Sequence, residues 1–204
     1  MGNVLSPGRV ELPSSITTSR LFFRPWQDFD ADILTDYQMR NRDPLALWYG
    51  GLLAKKDASP RDIADHIQNT IAGSKDISFI EYAVFSADDN ELVGTGSLHT
   101  IDKTVPKARI GYTVDSSQNG KGYATDIANV MTRLAFDRLH LERLEIRTAT
   151  RNPASGKIPR KLGYNYLAVF EKNKRGSDST LWDLEIHVRF DPNDLPDIDV
   201  TYHD

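Results

Sequence analysis

The chain has 204 residues, 39% hydrophobic and 26% charged, with a formal net charge of -4. That composition belongs to a globular protein of one domain, large enough to bury a core without metal or disulfide staples. There is no cysteine, which excludes disulfide frameworks, thiolate zinc sites and cysteine nucleophiles. The negative balance, without a dense Lys/Arg run, argues against a nucleic-acid partner.

No stretch reaches the roughly 20 apolar residues that cross a bilayer, and no secretion signal precedes the first elements. The expected location is the cytoplasm. Met1-Gly2-Asn3-Val4-Leu5-Ser6 fits the short pattern for N-myristoylation at Gly2, the one feature pointing to a membrane.

Residues 1–15 hold Pro7, Gly8 and Pro13 without periodicity and read as a flexible leader. Ser19 to Trp26 alternates and predicts a first strand, ending at Pro25. Asp28 offers a cap for a helix whose apolar face is Ile33, Leu34 and Tyr37. Leu45 to Gly51 is aromatic and closes on two glycines, which predicts a short helix or loop. Ser59-Pro60-Arg61-Asp62 is a capping sequence for a helix through Ile63, Ile67 and Ile71 to Gly73.

From Ser78 the period becomes two. Ser78–Ser86 and Glu91–His99 predict a hairpin across Ala87-Asp88-Asp89-Asn90, and Lys107–Val114 a further strand. Ile127, Val130, Met131, Leu134, Ala135 and Leu139 predict a long amphipathic helix. Leu144–Ala149 follows as a strand and Pro153–Leu162 as a short helix. Tyr164–Phe170 and Thr180–Phe190 are strands around a polar loop, and residues 192–204 read as a tail. The expected architecture is mixed α/β: one domain over 16–191, with a mostly antiparallel sheet of about seven strands flanked by helices.

The segment that carries chemistry lies between a strand and the long helix: Gln118-Asn119-Gly120-Lys121-Gly122-Tyr123-Ala124-Thr125. A helix start leaves backbone N–H groups unpaired and carries partial positive charge, so it suits a phosphate. Gly120 and Gly122 permit positive φ and close approach, and Lys121 adds a cation. The turn is neither a Walker loop nor a dinucleotide G-x-G-x-x-G, which disfavours a nucleotide or phosphometabolite binder.

Gln118, Gly120 and Gly122 fill the Gln/Arg-x-x-Gly-x-Gly/Ala signature of the GNAT acetyltransferases, which the chain resembles. Thr18-Ser19-Arg20-Leu21-Phe22-Phe23-Arg24-Pro25, Ile110-Gly111-Tyr112, Asn152-Pro153-Ala154-Ser155 and Lys161-Leu162-Gly163-Tyr164 are similar to segments of the RimJ/RimL-like branch. The resemblance implies a sheet whose fourth and fifth strands splay apart around acetyl-CoA, the cosubstrate. It implies that Thr113 and Val114 pair with the pantetheine through their backbone, that residues Gln118 to Thr125 wrap the pyrophosphate, and that Asn152 touches the pantetheine arm. Asn152 reads equally as an ordinary helix cap.

Acyl transfer to an amine needs a neutral amine, a stabilised oxyanion and a proton for the thiolate. The tyrosine that often serves as acid sits seven residues after the asparagine in the family; here that position is Pro159. Ser155 is the substitute that the resemblance implies, against a simple capping role. The branch often has Glu before Ile-Gly-Tyr, where this chain has Arg109, a cation that favours an acceptor carrying an acid. His99 titrates in the useful range and is the candidate base, with Glu81 as a second. Trp48, Tyr49 and Tyr112 are candidates for the acceptor pocket, or for core.

The expected function is acetyl transfer to a primary amine, a protein N-terminus or a small molecule, by a monomer or homodimer that needs no metal. The alternative is a non-catalytic acyl-CoA-binding or sensing module on the same fold.

Overall fold

The computed structural model describes residues 11–49, 55 and 57–204. The myristoylation pattern and Gly50-Gly51 lie outside the described residues. Among the described residues there are nine strands: β1 Ser15–Thr17, β2 Leu21–Pro25, β3 Ile80–Ser86, β4 Leu92–Asp102, β5 Lys107–Val114, β6 Arg143–Ala149, β7 Asn165–Arg175, β8 Leu181–Arg189 and β9 Thr201–His203. Five α-helices accompany them: α1 Ala31–Arg40, α2 Arg42–Trp48, α3 Pro60–Lys75, α4 Tyr123–Asp137 and α5 Pro153–Lys161.

The strands form one sheet in the order β7-β8-β6-β5-β4-β3-β2-β1-β9. Every pairing is antiparallel except β5 with β6, which run parallel and are joined by α4. Each sheet face has its own core. One packs Trp26, Leu34, Tyr37, Leu45, Ile63 and Ile67 of the α1–α3 layer on Ala83 and Phe85. The other packs Ile127, Met131, Leu134 and Leu162 on Tyr82, Val84, Ile110 and Ile146. The alternation read in the sequence sorts side chains between these faces.

Local signals account for the element ends. The Ser59 hydroxyl accepts from the Asp62 amide, and Asp62 accepts from the Ser59 amide, closing a capping box worth about 1 kcal/mol at the start of α3. Asn90 sits at φ +58° in the β3–β4 turn, a conformation asparagine tolerates.

Three expectations about extent are corrected. The residues taken as a tail carry β9, whose Ile-to-Tyr register on β1 (Ile16 against Tyr202) adds a sheet edge, while Leu195 is buried in the core. The polar loop after Phe170 is largely strand, since β7 runs to Arg175. Backbone pairing to β8 holds Lys174 and Arg175 in place despite their poor strand propensity. Nine strands thus replace about seven, the additions being β1 and β9, each of three residues and too short to show a period.

Candidate active site

β5 and β6 pair only at Lys107, Ala108 and Arg109 with Arg143, Leu144 and Glu145. Beyond those residues the two strands separate, so their C-terminal halves leave a gap. In the expected count these are the fourth and fifth strands. The Asp115 amide donates to the Val93 carbonyl of β4 at 2.8 Å. Backbone groups alternate along a strand, so Thr113 also turns its amide and carbonyl to β4, while those of Tyr112 and Val114 face the gap. The Tyr49 hydroxyl donates to the Tyr112 carbonyl there. Of the two residues expected to offer backbone groups, Val114 has the open edge. The Thr113 side chain is used inside the protein, accepting from the Tyr37 hydroxyl at 2.8 Å.

Two cavities meet in the gap. The larger, about 430 Å³, lies towards α4 and α5 and is lined by Val114, Gln118, Asn119, Gly120, Gly122, Tyr123, Ala124, Thr125 and Lys157, among others. The smaller, about 250 Å³, is lined by His99, Gly111, Arg147, Thr148, Lys174 and Leu184. Trp48, Tyr49, Tyr112, Asn152 and Ser155 line both.

The large cavity ends on the glycine turn. Gly120 and Gly122 adopt φ +82° and +88°, a region in which other L-residues cost about 1–2 kcal/mol. Gly122 is the N-cap of the 15-residue α4 and supplies no side-chain cap. Among the described residues, the amides of Gly120, Gly122, Tyr123 and Ala124 have no hydrogen-bond acceptor. Unpaired donors at a helix start, with room beside Gly120 for close approach, fit a diphosphate. Lys121 is turned back, its ammonium 2.7 Å from the Gln118 side-chain oxygen.

Side chains from distant elements fix this turn. Arg20 donates to the Lys121 carbonyl at 2.6 Å and to Asp126 at 3.0 Å, and its guanidinium lies 4.6 Å from the centre of the Tyr123 ring. Asn41 bridges Asp115 and the Ser116 amide. Burial pushes the Asp115 carboxyl up, but the Ser117 amide and hydroxyl, Asn41 and Arg40 outweigh it and hold it below its usual value. The start of the turn is therefore anchored on α1.

On the α5 side, Asn152 caps the helix by accepting from the Ser155 amide at 3.1 Å, and its side chain lines both cavities. The Ser155 hydroxyl is 3.1 Å from the Tyr112 hydroxyl. Desolvation pushes Tyr112 up to about 12, against the hydrogen bond to Ser155, so it stays protonated at neutral pH. Pro159 is buried within α5 and brings no acid to the gap.

The small cavity collects what the sequence scattered. His99 is half-buried with Nδ1 3.1 Å from the Thr100 hydroxyl. Burial, then the cations Arg109 and Arg147, lower its pKa, with Glu81 opposing. It is neutral near pH 7 and so equipped to accept a proton. Arg147 donates twice to Glu145, at 2.7 and 2.9 Å, and lies against the Phe170 ring. Arg109 sits 3.7 Å from Glu145 and lines a separate hollow with Lys103 and Lys107 rather than either cavity. Glu81 is also outside both, accepting from the Trp26 indole at 2.8 Å with His66 3.3 Å away. Trp48 packs at a tilt against Trp182, centroids 5.5 Å apart and planes at 59°, and the Lys174 ammonium donates to the Trp48 carbonyl at 2.5 Å. The Thr148 hydroxyl is buried with no partner among the described residues.

Sequence reading had no hold on Arg20, Asn41, Lys174 or Trp182. The spacing Arg143, Glu145, Arg147 on one strand face is the one signal that was available.

A match to the Acetyltransferase (GNAT) domain covers residues 20–165. The chain belongs to the GNAT acetyltransferase family. The "Probable N-acetyltransferase YjcK" of Bacillus subtilis is 34% identical over 93 residues, 45% of this chain and 51% of that protein, so the chain spans about half the length of that relative. The uncharacterized N-acetyltransferase p20 of Bacillus licheniformis is 27% identical over 165 residues, 78% of this chain and 89% of that one. The solved structure of RimL, a ribosomal L7/L12 alpha-N-protein acetyltransferase in complex with coenzyme A, shares the fold with a TM-score of 0.79 at 19% identity, covering 87% of this chain and 97% of RimL. The matched domain is by its description an acetyltransferase domain. Among the described residues no helix is long and apolar enough to cross a membrane, and no group of side chains could hold a metal.

Proposed function

We propose that this GNAT acetyltransferase moves the acetyl group of acetyl-CoA to a primary amine, on a protein N-terminus or a small molecule, in the cytoplasm. One observation carries the reading. The cavity that ends on the unpaired amides of the glycine turn and the cavity that holds neutral His99 share a wall of five residues, Trp48, Tyr49, Tyr112, Asn152 and Ser155. A diphosphate at the first end puts the thioester at that shared wall, with the amine entering from the second.

In this reading Gly120, Gly122, Tyr123 and Ala124 hold the diphosphate through their amides, with Gln118, Asn119, Lys121 and Thr125 around them. The Val114 edge pairs with the pantetheine arm. His99 takes the proton of the incoming amine, either directly or through a water. The Ser155 hydroxyl gives a proton to the departing thiolate and takes one from the Tyr112 hydroxyl, which is refilled from solvent as His99 returns the amine's proton to solvent, so that no net charge is left in the site. Trp48 and Tyr49 cover the acyl group and exclude water. Glu81 tunes His99 from a distance, because its carboxylate is already engaged by Trp26 and His66.

The test is acetyl-CoA with a panel of primary amines, followed by release of free thiol, alongside calorimetry with coenzyme A. Thiol release above the hydrolysis background supports transfer to amines. Tight coenzyme binding with no release from any amine supports a non-catalytic module, the reading favoured by Pro159 where an acid is usual.

A further inference from the structure

The acceptor cavity is lined by two cations and no carboxylate. Arg147 and Lys174 reach it from β6 and β7, with Trp48 and Tyr49 from the α2 end and neutral His99 from β4. Glu145 engages Arg147 from below through one carboxylate oxygen, its other oxygen being taken by Arg143. One carboxylate thus faces three guanidiniums, since Arg109 also approaches it. Positive charge remains in excess at this end of the gap.

Lys174 is the more telling of the two. Its ammonium is half-buried and donates to one carbonyl, that of Trp48, and no acidic group makes a salt bridge with it among the described residues. An ammonium has three donors; besides the Trp48 carbonyl its neighbour is the face of the Trp182 ring, 5.9 Å from the centroid, which leaves donor capacity without an acidic partner. Desolvation lowers its pKa with no acidic group opposing, which marks a cation lacking its counter-charge. A simple amine arrives as an ammonium and is repelled here. An amine that brings its own anion is attracted and oriented.

We propose that the acceptor is an amine carrying a carboxylate a few atoms from the nitrogen, with the carboxylate held by Lys174 and Arg147 and the amine presented to His99. The inference rests on the acetyl-transfer reading given above. It moves the acid-recognising role that the sequence suggested for Arg109 to two residues that line the cavity. The 250 Å³ volume suits one amino-acid residue, whether free or at the start of an acidic peptide.

The experiment compares matched acceptors: L-phenylalanine against phenethylamine, and the C-terminally amidated dipeptides Ser-Asp against Ser-Asn, in which the aspartate side chain is the sole carboxylate, each with acetyl-CoA and wild-type protein. The expected kcat/KM is at least about tenfold higher for the acid-bearing member of one pair or both, the size of one charge-assisted contact. Turnover of Ser-Asp but not phenylalanine identifies a peptide end, and the reverse a free amino acid; either supports the proposal.

Lys174→Gln keeps a donor for the Trp48 carbonyl while removing the charge. It should cut the preferred acceptor by about tenfold while turnover of phenethylamine, which has no carboxylate and loses one repulsive charge, does not fall, with coenzyme A affinity unchanged by calorimetry. Lys174→Arg should keep the preference. Equal turnover within both pairs overturns this proposal and leaves acetyl transfer standing. Absence of turnover with every amine overturns both.

Discussion

The two ends of the gap between β5 and β6 are made from different material. In the proposed reading the recognising atoms at the coenzyme end are backbone amides of one short turn, Gly120 and Gly122 to Ala124, exposed by two glycines at positive φ and the start of one helix. At the acceptor end they are side chains from β4, β6, β7, α2 and α5, brought together only by the sheet order. The first kind of site tolerates most side-chain changes and fails when the backbone changes. The second kind depends on individual side chains and can be altered one group at a time. The contrast suits an enzyme whose coenzyme is constant and whose acceptor is what varies.

The sharpest way to break this comparison is at Gly122. Gly122→Glu forces an L-residue to φ +88° and sets a carboxylate where the diphosphate is to lie, so coenzyme A affinity should fall by about a hundredfold or more. Calorimetry together with a circular dichroism melt separates this from unfolding. A folded variant that binds as tightly as wild type removes the cradle from the argument. Next in size comes the shared wall. Ser155→Ala should lower kcat by about a hundredfold while coenzyme A affinity stays within about threefold, because a proton donor acts on the rate and not on ground-state binding. If Ser155→Ala retains full kcat while Tyr112→Phe does not, the proton comes from Tyr112 directly.

The same contrast explains what could be read from the sequence. The strand end at Val114, the glycine turn and the two helix starts were legible from local spacing, and Val114, Gln118, Gly120, Gly122, Asn152 and Ser155, which the glycine pattern and the family resemblance had marked, line one cavity. The central strands and long helices were legible from their periods. β1 and β9 were not, since three residues carry no period and their pairing spans the whole chain from Ser15 to His203. At the acceptor end, Arg109 was marked by its place before Ile-Gly-Tyr, yet its side chain packs on Glu145 outside the cavity. Lys174 and Trp182 had no signal at all, because what places them is the β7–β8 register beneath the end of α2.

His99 offers a pH-dependent test of the acceptor end. Its pKa is lowered from 6.5 by burial first and by Arg109 and Arg147 next, so the neutral, proton-accepting form fills at a pH below 6.5. The kcat/KM profile should therefore rise with pH along a limb whose midpoint is under 6.5 and be level on this account by pH 7.5. His99→Gln should remove that limb and reduce kcat/KM at neutral pH by about thirtyfold. A limb that persists unchanged in the variant assigns the base elsewhere. The sign extends to stability: the folded state resists protonating this ring, so His99 costs stability as pH falls below 6.5, and none above it.

The smallest effect belongs to the one place where the coenzyme end borrows a side chain. Arg20, at the start of β2, ties the Lys121 carbonyl, Asp126 and the Tyr123 ring, and so holds a turn whose own residues make few bonds. Its guanidinium is partly exposed, side-chain exposure being 45%, so water screens much of the ion pair and each contact is modest. Arg20→Met keeps the stem and drops the three polar contacts, and coenzyme A affinity should weaken by about five- to tenfold through a looser turn. With saturating acetyl-CoA, kcat should be unchanged, since nothing at the shared wall or around His99 has been touched. A fall in kcat without a change in affinity would mean that the position of α4 is felt at the reacting end, and that the two ends of the gap are mechanically one.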